Sequence, residues 1–468
     1  MVKEVFLRST SNYDALYENC YIETLKSKDI QQFEIAASKR DGTQTLVSAD
    51  ANFRGMYFSH GLGMLYYVIG NTVYKTPVDS STFSPTVVGT LPTSSGDVGF
   101  TDFLYSTGTV KLVWCDGNRI GTIDEFDNIV TSTSPNVPGH IQSPVYLDGY
   151  IFIPKAGGQD IYNSALDDPL TWNNEYISAE MSPDGIRDIA KIANYIVAFG
   201  ESSIEFFYDA ANVGGSPLSR NDTLYRHTGY MGGKAQIGNK LFFVGSYSDG
   251  NADIFVLEDT KLSSIGAPQV IRTINRTQID DNNIYGAVVT FNGMYHYVFS
   301  VGNSTFAYNI NNDMYTNWKY GNTTSFKIKD TANYDGNRFK KSYFLMPTGT
   351  ANGGILGQFV LDNYTDNGTP YTMVVRTDDL YNDTLQMKFI SRLSIFCDRG
   401  NTNATIQLRW TDDDYQTYSN PVPIVLNQEL ASVRRLGGYR RRAFEFSNSE
   451  NYPVRIWGYE LDLNMGSS

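Results

Sequence analysis

The side chains best suited to catalysis or metal binding are few and widely spaced in this chain. The histidines are His60, His140, His227 and His296, and the cysteines are Cys20, Cys115 and Cys397. No two histidines have the spacing of a metal-ligand pair, and no Cys-x-x-Cys pair occurs. A zinc-protease motif, a nucleophile elbow and a phosphate-binding loop are also missing from the sequence. We therefore predict no catalytic residue, no cofactor and no metal site.

One acidic segment, 410–419 (WTDDDYQTYS), resembles a degenerate Asp-box, the turn Ser-x-Asp-x-Gly-x-Thr-Trp found in propeller blades. The residues at its Ser, Asp, Gly, Thr and aromatic positions are Thr411, Asp413, Tyr415, Thr417 and Tyr418. In such a turn the aspartate accepts hydrogen bonds from nearby backbone N–H groups. The pattern favours a hairpin turn. Calcium binding by the three clustered acids is an alternative, although the EF-hand spacing is missing.

A basic run stands out in an otherwise acidic chain. Its arginines are Arg434, Arg435, Arg440, Arg441 and Arg442. Charged side chains at a strand edge protect it from aggregation, which is one interpretation. Arginine forks also bond carboxylates of a neighbouring protein, and DNA phosphate is a third possibility that the net charge weakens. We predict that these five arginines form a protein interface.

The composition is that of a β protein. Aromatic residues make up 14% of the 468 residues, and the formal charge is −13. Seven segments combine an aromatic and β-branched run, a Gly, Asn or Asp turn and a second run: Leu65–Tyr74, Lys111–Asp124, Tyr146–Pro154, Tyr195–Tyr208, Ile237–Val256, Phe291–Tyr308 and Tyr334–Phe359. Repeated hairpins at this period are typical of propeller blades. We predict an all-β fold, a β-propeller with six or seven irregular blades and a small additional C-terminal β platform.

Three regions follow from this pattern. Residues 1–55 are expected to be an irregular entry that closes the ring, residues 56–368 the propeller, and residues 369–468 a β platform or final blade. Within the third region, Ala404, Ile406, Leu408 and Trp410 alternate onto one strand face. The phase changes near Trp457, which indicates a bulge or a strand buried on both faces. Ser182–Lys191 is predicted to contain one short helical turn.

The chain carries no membrane or secretion signal that the sequence reveals. Its start lacks the apolar core of a signal peptide, and no run of 18 apolar residues occurs. Unpaired cysteines indicate a reducing compartment. We expect a soluble protein that is intracellular when it is synthesised.

The order of several short motifs resembles the packaged-DNA stabilisation proteins of short-tailed bacteriophages. These motifs are Ile161–Ser164, Asp168–Trp172, Ser178–Glu180, Ser182–Asp184, Phe199–Phe206 and the later Arg435–Arg441 run, with Asn19–Glu23 and Arg54–Tyr57 fitting the entry segment. The similarity spans roughly residues 150–445 in order, and Tyr415 departs from it at the glycine of the acidic turn.

This resemblance implies a non-catalytic virion protein, the tail hub or nozzle. The family is expected to form a homo-oligomer, a hexameric ring below the portal and the head-to-tail adaptor, which carries needle, fibre or spike proteins. Packaged double-stranded DNA would pass through its channel without sequence-specific binding. The protein would be made in the host bacterial cytoplasm and end in the virion tail. Six copies carry −13 × 6 = −78 formal charges, so we predict an acidic bore that repels DNA.

Two other functions fit parts of the sequence. A sialidase-like propeller glycosidase needs a triad of arginines, an activated tyrosine and an acid/base carboxylate, and the composition supplies all of these residue types. A carbohydrate-binding tail fibre or receptor-binding protein would stack sugars on aromatic side chains such as Tyr315 and Trp318.

Overall fold

The computed structural model describes residues 2–6, 16–24, 35–277, 284–291, 293–336, 340–347, 353–380, 385–399, 404–428 and 430–466. The regular secondary structure of the described residues is almost entirely β-strand. The strands that precede the repeats are β1 (Val2–Phe6), β2 (Leu16–Glu18), β3 (Cys20–Thr24), β4 (Ile35–Lys39) and β5 (Gly42–Ala49).

Seven four-stranded antiparallel units follow one another in sequence order, which confirms the predicted propeller. Blade 1 consists of β6 (Phe53–Ser59), β7 (Met64–Ile69), β8 (Thr72–Pro77) and β9 (Thr86–Thr90). Blade 2 consists of β10 (Gly99–Leu104), β11 (Val110–Cys115), β12 (Ile120–Ile123) and β13 (Ile129–Thr131). Blade 3 consists of β14 (Val145–Leu147), β15 (Tyr150–Pro154), β16 (Asp160–Asn163) and β17 (Glu175–Ser178).

The next three blades have the same order. Blade 4 consists of β18 (Ile186–Ile192), β19 (Tyr195–Gly200), β20 (Ile204–Asp209) and β21 (Leu218–Arg220), followed by a 3₁₀ turn at Asp222–Leu224. Blade 5 consists of β22 (Thr228–Ile237), β23 (Lys240–Tyr247), β24 (Ala252–Glu258) and β25 (Lys261–Ser264), followed by helix α1 (Pro268–Arg276). Blade 6 consists of β26 (Ile284–Phe291), β27 (Met294–Val301), β28 (Ser304–Asn309) and β29 (Met314–Asn317).

Blade 7 joins the two ends of the propeller. Its first three strands are β30 (Asp330–Asp335), β31 (Lys340–Pro347) and β32 (Gly354–Val360), and its outer strand is β5 from the N-terminal segment. The strand β5 runs antiparallel to β32, so hydrogen bonds between distant parts of the chain close the ring. The count of seven lies within the predicted range.

The predicted hairpins coincide with strand pairs. Leu65–Tyr74, for example, covers most of β7 and the first half of β8, which are joined by Gly70 and Asn71 with Ile69 paired to Thr72. Gly70 has a φ of +58°, a conformation that glycine adopts without strain. Two predicted hairpins fall partly outside the described residues, at position 292 and at 337–339 and 348–352.

Two short strands, β33 (Thr365–Asp366) and β34 (Thr369–Pro370), extend the sheet of blade 7 beyond β5. The C-terminal strands after them form two sheets over one core. They are β35 (Met373–Arg376), β36 (Lys388–Cys397), β37 (Thr405–Thr411), β38 (Val422–Val425), β39 (Ser432–Tyr439), β40 (Ala443–Asn448) and β41 (Arg455–Met465). One sheet has the order β3-β4-β41-β36-β39, with β1 also paired to β41. The other has the order β2-β35-β40-β37-β38. We call this two-sheet unit the platform. It takes β1–β4 from the N-terminal segment.

Two predictions for the platform are confirmed. The alternating Ala404, Ile406 and Leu408 are buried in its core. Trp457 is the extra residue of a bulge, because Phe396 pairs with Gly458 while Cys397 pairs with Ile456.

The predicted helical turn in Ser182–Lys191 is wrong. Residues 186–192 form β18, the first strand of blade 4, because Ile186, Ile189 and Ile192 are buried between blades. Helix α1, which was not predicted, buries Val270 and Ile274 against blade 5.

The platform and the propeller share a continuous sheet. Strand β29 of blade 6 pairs in parallel with β2, which places blade 6 and five platform strands in one nine-stranded sheet. Trp318 Nε1 donates to the carbonyl of Cys20 at 3.1 Å, and Asn309 Nδ2 donates to the carbonyl of Ile22 at 3.0 Å. These bonds hold the N-terminal strands between the two units.

Candidate interface and channel surfaces

The predicted arginine run lies at an edge of the platform. In its sheet, β39 pairs with β36 alone among the described strands, so its second edge is open. Arg434 and Arg435 belong to β39, and the other three arginines lie in or beside the turn into β40. All except Arg442 are exposed.

Arg442 is enclosed by its own chain and is only 2% exposed. Its Nε and Nη2 donate to the two oxygens of Asp412, each at 2.7 Å, and Nη1 donates to the carbonyl of Leu436 at 2.6 Å. The ring of Tyr439 lies 4.8 Å from the guanidinium carbon. An interface role therefore does not extend to Arg442, because none of its guanidinium is left for a partner. Arg442 holds the acidic turn on the platform.

The next two arginines also contact their own chain. Arg441 Nη2 donates to the carboxylates of Asp379 and Asp414. Arg440 Nη1 donates to the carbonyl of Leu385 at 2.7 Å. Arg441 thus bridges two acidic segments, whereas Arg440 carries no carboxylate partner within the described ranges and keeps its charge at the surface.

Arg434 and Arg435 project from a bulge. The register between β36 and β39 shifts between Ile390 and Arg392, and Arg435 sits there with a φ of +64°. Arg434 lies opposite Arg392, which already donates to Asp462 at 2.9 Å. Neither Arg434 nor Arg435 has an ion-pair partner in the part of the chain that the structure describes, so both remain interface candidates.

The acidic turn between β37 and β38 has the bonding of an Asp-box. Asp413 Oδ1 accepts from the N–H of Gln416 at 3.1 Å and of Thr417 at 2.9 Å, and Oδ2 accepts from the Thr417 hydroxyl at 2.5 Å. These bonds stabilise the carboxylate and lower the pKa of Asp413 to about 2, with the Thr417 hydroxyl as the largest cause. Tyr415, at the glycine position, has a φ of +64°, so the backbone keeps the left-handed conformation that the motif requires. The predicted hairpin turn is confirmed.

Tyr415 is held in that conformation by contacts that glycine would lack. Its hydroxyl donates to the carbonyl of Thr377 at 3.0 Å, and the guanidinium carbon of Arg376 lies 4.6 Å from its ring. Arg409 stacks on Tyr418 at 4.2 Å and its Nε donates to Glu445 at 2.6 Å. The turn is thus part of a packed hairpin.

Three arginines of the platform are already bound by carboxylates and so do not supply the arginine triad of a sialidase. Arg409, Arg441 and Arg442 each pair with a carboxylate of their own chain. An arginine already paired in this way offers no fork to a substrate carboxylate. The aromatics considered for sugar stacking, Tyr315 and Trp318, are buried in the core.

Two cavities, of about 990 and 800 Å³, lie among the first strands of the blades. Met56, Lys234, Gly286 and Asp330 line both of them. Their charges are mostly paired: Lys234 Nζ lies 2.6 Å from Asp188 Oδ1.

Asp330, which lines both cavities, is in no ion pair among the described residues. Its carboxylate accepts from the N–H of Met56 at 3.0 Å and of Thr331 at 2.9 Å. Burial nevertheless outweighs these bonds and raises the pKa of Asp330 to about 7. Since Met56 belongs to blade 1 and Asp330 to blade 7, the bond joins the first and last blades.

Among the described residues, no group of three His, Cys, Asp or Glu side chains is arranged to hold a metal ion. Cys20 and Cys115 are buried, and burial raises the pKa of both thiols well above the ordinary value. None of the helices that the structure describes has the length and apolar character to cross a membrane.

The negative charge is concentrated in one sector of the propeller. Residues 99–220, which form blades 2–4, contain 16 acidic and six basic side chains, a formal charge of −10 out of −13. Residues 369–468 contain 12 acidic and 11 basic side chains, a formal charge of −1. The exposed arginines and the excess acids therefore lie in different parts of the molecule.

Sequence reasoning missed the buried polar residues that join the two units. Arg40 and Asp366 are fully buried and paired, and Lys39 Nζ donates to Asn448 Oδ1 at 2.9 Å. Burial lowers the pKa of Lys39 to about 7. The local sequence around the pair is Lys-Arg-Asp-Gly at 39–42 and Thr-Asp-Asn-Gly at 365–368, and both segments have the composition of ordinary surface turns.

Comparisons with known proteins identify one family. The family model Phage_stabilise, described as Bacteriophage P22 Gp10, beta-propeller, matches residues 28–364. No curated protein matches the chain.

Solved structures similar to this chain are distant. They include virginiamycin B lyase from Staphylococcus aureus, as a selenomethionine-substituted form and as a catalytically inactive variant with quinupristin. Each is 14% identical, with 68% of this chain and 98% of that chain covered and a TM-score of 0.46. The N-terminal domain of Nup159 is 8% identical, with 74% and 100% covered and a TM-score of 0.41. These likenesses are too distant to indicate a function.

Proposed function

Since this chain belongs to the phage-stabilisation family of the bacteriophage P22 Gp10 β-propeller, we propose that it forms the tail hub, or nozzle, of a short-tailed phage. Membership itself implies a structural virion protein that stabilises packaged DNA. The proposal adds that several copies, six by our expectation, form a ring that extends the DNA channel below the portal and the head-to-tail adaptor.

The observation that carries this proposal is the family match over residues 28–364, which covers most of the propeller. The way the propeller is joined to the platform supports it. A nine-stranded sheet and a buried ion pair connect the two units, so a load applied to one is transmitted to the other. A ring subunit that holds pressurised DNA needs such rigidity, whereas an enzyme needs a reactive site.

The charge supports an acidic bore. Six copies carry a formal charge of −78. In each copy, blades 2–4 account for −10 of the formal charge of −13. An acidic wall repels DNA within about 8 Å at physiological salt, so DNA slides instead of adhering. A ring structure whose bore is lined mainly by lysine and arginine would contradict this part of the proposal.

We propose no enzymatic activity for the chain. Three platform arginines, Arg409, Arg441 and Arg442, are paired with carboxylates of their own chain, and the charges at the propeller centre are mostly paired as well. Turnover of any glycoside in a synthetic substrate panel would contradict this.

The function is tested with phage particles assembled without this chain. We expect such particles to package DNA and then lose it, measured as the fraction of the genome that becomes accessible to nuclease over time. Adding purified protein should restore retention, and the Asp335→Asn variant, changed at an exposed side chain, should restore it equally. Particles that keep their DNA but no longer bind cells would instead support a receptor-binding protein.

A further inference from the structure

Blade 2 carries a rigid acidic tip with an exposed aromatic ring. The tip, Asp124–Asn128, joins β12 to β13, and Phe126 at its centre is 77% exposed. Asp124 Oδ1 accepts from the N–H of Phe126 at 3.0 Å and of Asn128 at 2.9 Å. A ring this exposed buries little apolar surface against its own chain. The hydrogen bonds fix the conformation of the turn, so the ring projects into solvent.

The tip is also anchored to the neighbouring blade. Asp127 Oδ1 lies 2.6 Å from Lys75 Nζ of β8 in blade 1. Val130 of β13 and Val87 of β9 are exposed beside it. The result is an apolar surface with acidic side chains at its end.

The platform carries a surface of the opposite character. Phe389 on β36 is 48% exposed and pairs with Gly438 on β39, and its ring occupies the space that a side chain at Gly438 would need. Leu385 is exposed at the same end of the platform. We call these two apolar residues, with Arg434, Arg435 and Arg440 around them, the platform patch.

Arg434 lies on the same sheet face as Phe389. The strand order places Phe389 opposite Gly438 and Arg392 opposite Arg434, with the buried Ile390 and Leu393 facing the core. Arg440 reaches the patch from the other side through its bond to the Leu385 carbonyl. The patch therefore combines an apolar centre with a basic rim, whereas the tip combines an apolar centre with acids.

We propose that the blade-2 tip of one copy docks on the platform patch of the next copy. This inference rests on the proposed ring and names the two surfaces that form its contacts. Phe126 would pack on Phe389, and Glu125 would face Arg434 or Arg440. A DNA phosphate would satisfy the arginines but would leave the apolar centre exposed, so a protein partner fits the whole patch better.

The positions of the two surfaces favour a contact between copies. The platform is joined to blade 6 through β29, and blade 2 is three blades away, the largest separation that a ring of seven blades allows. Two different, complementary surfaces on far sides of a subunit give a head-to-tail contact, which closes into a ring when the rotation between copies divides a full turn.

The test uses one variant for each surface. The tip variant combines Glu125→Lys with Phe126→Ser, and the platform variant combines Phe389→Ser with Arg434→Glu. Val213→Ser, at a fully exposed apolar residue of blade 4, is the matched control. Circular dichroism and thermal midpoints check that all variants fold like the wild type. Sedimentation velocity and native mass spectrometry then measure assembly, alone and with the purified adaptor.

We expect the wild type and the control to form closed oligomers and each surface variant to self-associate about tenfold or more weakly. A mixture of the two surface variants should form one-to-one dimers only. In such a dimer the unchanged tip of the platform variant binds the unchanged patch of the tip variant. The other surface of each copy carries the substitutions, so no third copy can be added. Added salt should weaken wild-type assembly.

The other outcomes separate the two proposals. A wild type that stays monomeric, alone and with the adaptor, contradicts the ring and this inference together. Variants that assemble like the wild type contradict only the inference, as does a mixture that yields no dimer. A platform variant that assembles normally but binds duplex DNA more weakly assigns the arginines to phosphate and overturns the docking.

Discussion

Arg40 and Asp366 form a fully buried, two-fold hydrogen-bonded ion pair where the platform meets the propeller, with Nη2–Oδ2 at 2.6 Å and Nη1–Oδ1 at 3.0 Å. Arg40 lies where the chain enters blade 7 from the platform, and Asp366 lies where the chain leaves blade 7 again. Arg40 also donates to the carbonyl of Lys319, at the end of blade 6, at 2.7 Å, and stacks at 3.9 Å on Tyr371. The pair therefore connects three segments of the chain: the entry into blade 7, the exit from blade 7 and the end of blade 6.

We expect Asp366→Asn to lower the free energy of unfolding by about 3–5 kcal/mol, because it leaves the buried Arg40 charge uncompensated. Guanidinium denaturation of the wild type and the variant measures the change. The matched control is Asp335→Asn, which breaks the exposed pair with Lys340 and should change stability by about 0.5 kcal/mol or less. Equal effects of the two substitutions would show that the buried pair does not join the two units.

Substitution by methionine should lower the stability of the protein much more at Arg442 than at Arg434. Arg442→Met is expected to cost about 2–4 kcal/mol of stability, since two carbonyl acceptors lose their donor and Asp412 loses its partner. The lower end applies if solvent screens the partly exposed Asp412. Arg434→Met should cost about 0.5 kcal/mol or less. Thermal and denaturant unfolding of both variants check this, and an Arg442 variant as stable as the wild type would contradict its structural role.

Asp330 should make the chain less stable as the pH rises. Its pKa is about 7 in the folded chain, whereas an unfolded aspartate titrates near 3.9. Between these values the folded chain holds a proton that the unfolded chain has released. The stability that this carboxyl contributes is therefore complete below about pH 4 and is lost as the pH rises through 7.

Asp330→Asn cannot ionise, so it should remove this decline. We expect the stability of the variant relative to the wild type to increase between about pH 4.5 and pH 8, measured by urea denaturation at both values. Asp335→Asn on the same strand is the control and should follow the wild type. Parallel pH profiles for wild type and Asp330→Asn would contradict a raised pKa.

Asp413 should control the local order of the turn after β37. Asp413→Ala removes the acceptor of two backbone N–H groups and the Thr417 hydroxyl. We expect faster amide hydrogen exchange at Gln416 and Thr417, with little change in the blades. In the wild type the same exchange should quicken as the pH falls towards 2, after correction for the intrinsic rate, because the pKa of Asp413 is lowered. Unchanged exchange in Asp413→Ala would contradict the Asp-box bonding.

The hairpins and the platform strands could be predicted because their signals are local. The alternation of Ala404, Ile406 and Leu408 spans a few residues and already determines which face is buried. The bulge at Trp457 appears as a phase change within one strand. The predicted turn at Ser182–Lys191 was wrong because its apolar residues pack between blades, and packing of this kind overrides a weak helical tendency.

The environments of the five arginines in the basic run could not be predicted from neighbouring residues. Five arginines in nine residues read as one basic surface, but the structure encloses Arg442 and pairs Arg441, while Arg434 and Arg435 stay exposed. Asp379 and Asp412, the partners that make this difference, lie 62 and 30 residues away from Arg441 and Arg442. Nothing in the run itself distinguishes its members.

The amino-acid sequence alone determined the β character, the repeating hairpins, the acidity and the lack of catalytic motifs, since each depends on composition or on neighbouring residues. Only the tertiary structure decided that there are seven blades, that β5 closes the seventh, and that both termini build the platform. The same holds for Arg40 and Asp366, which are 326 residues apart. Such contacts form when separate strands bury one core together, and a buried charge is stable only where that packing delivers its partner.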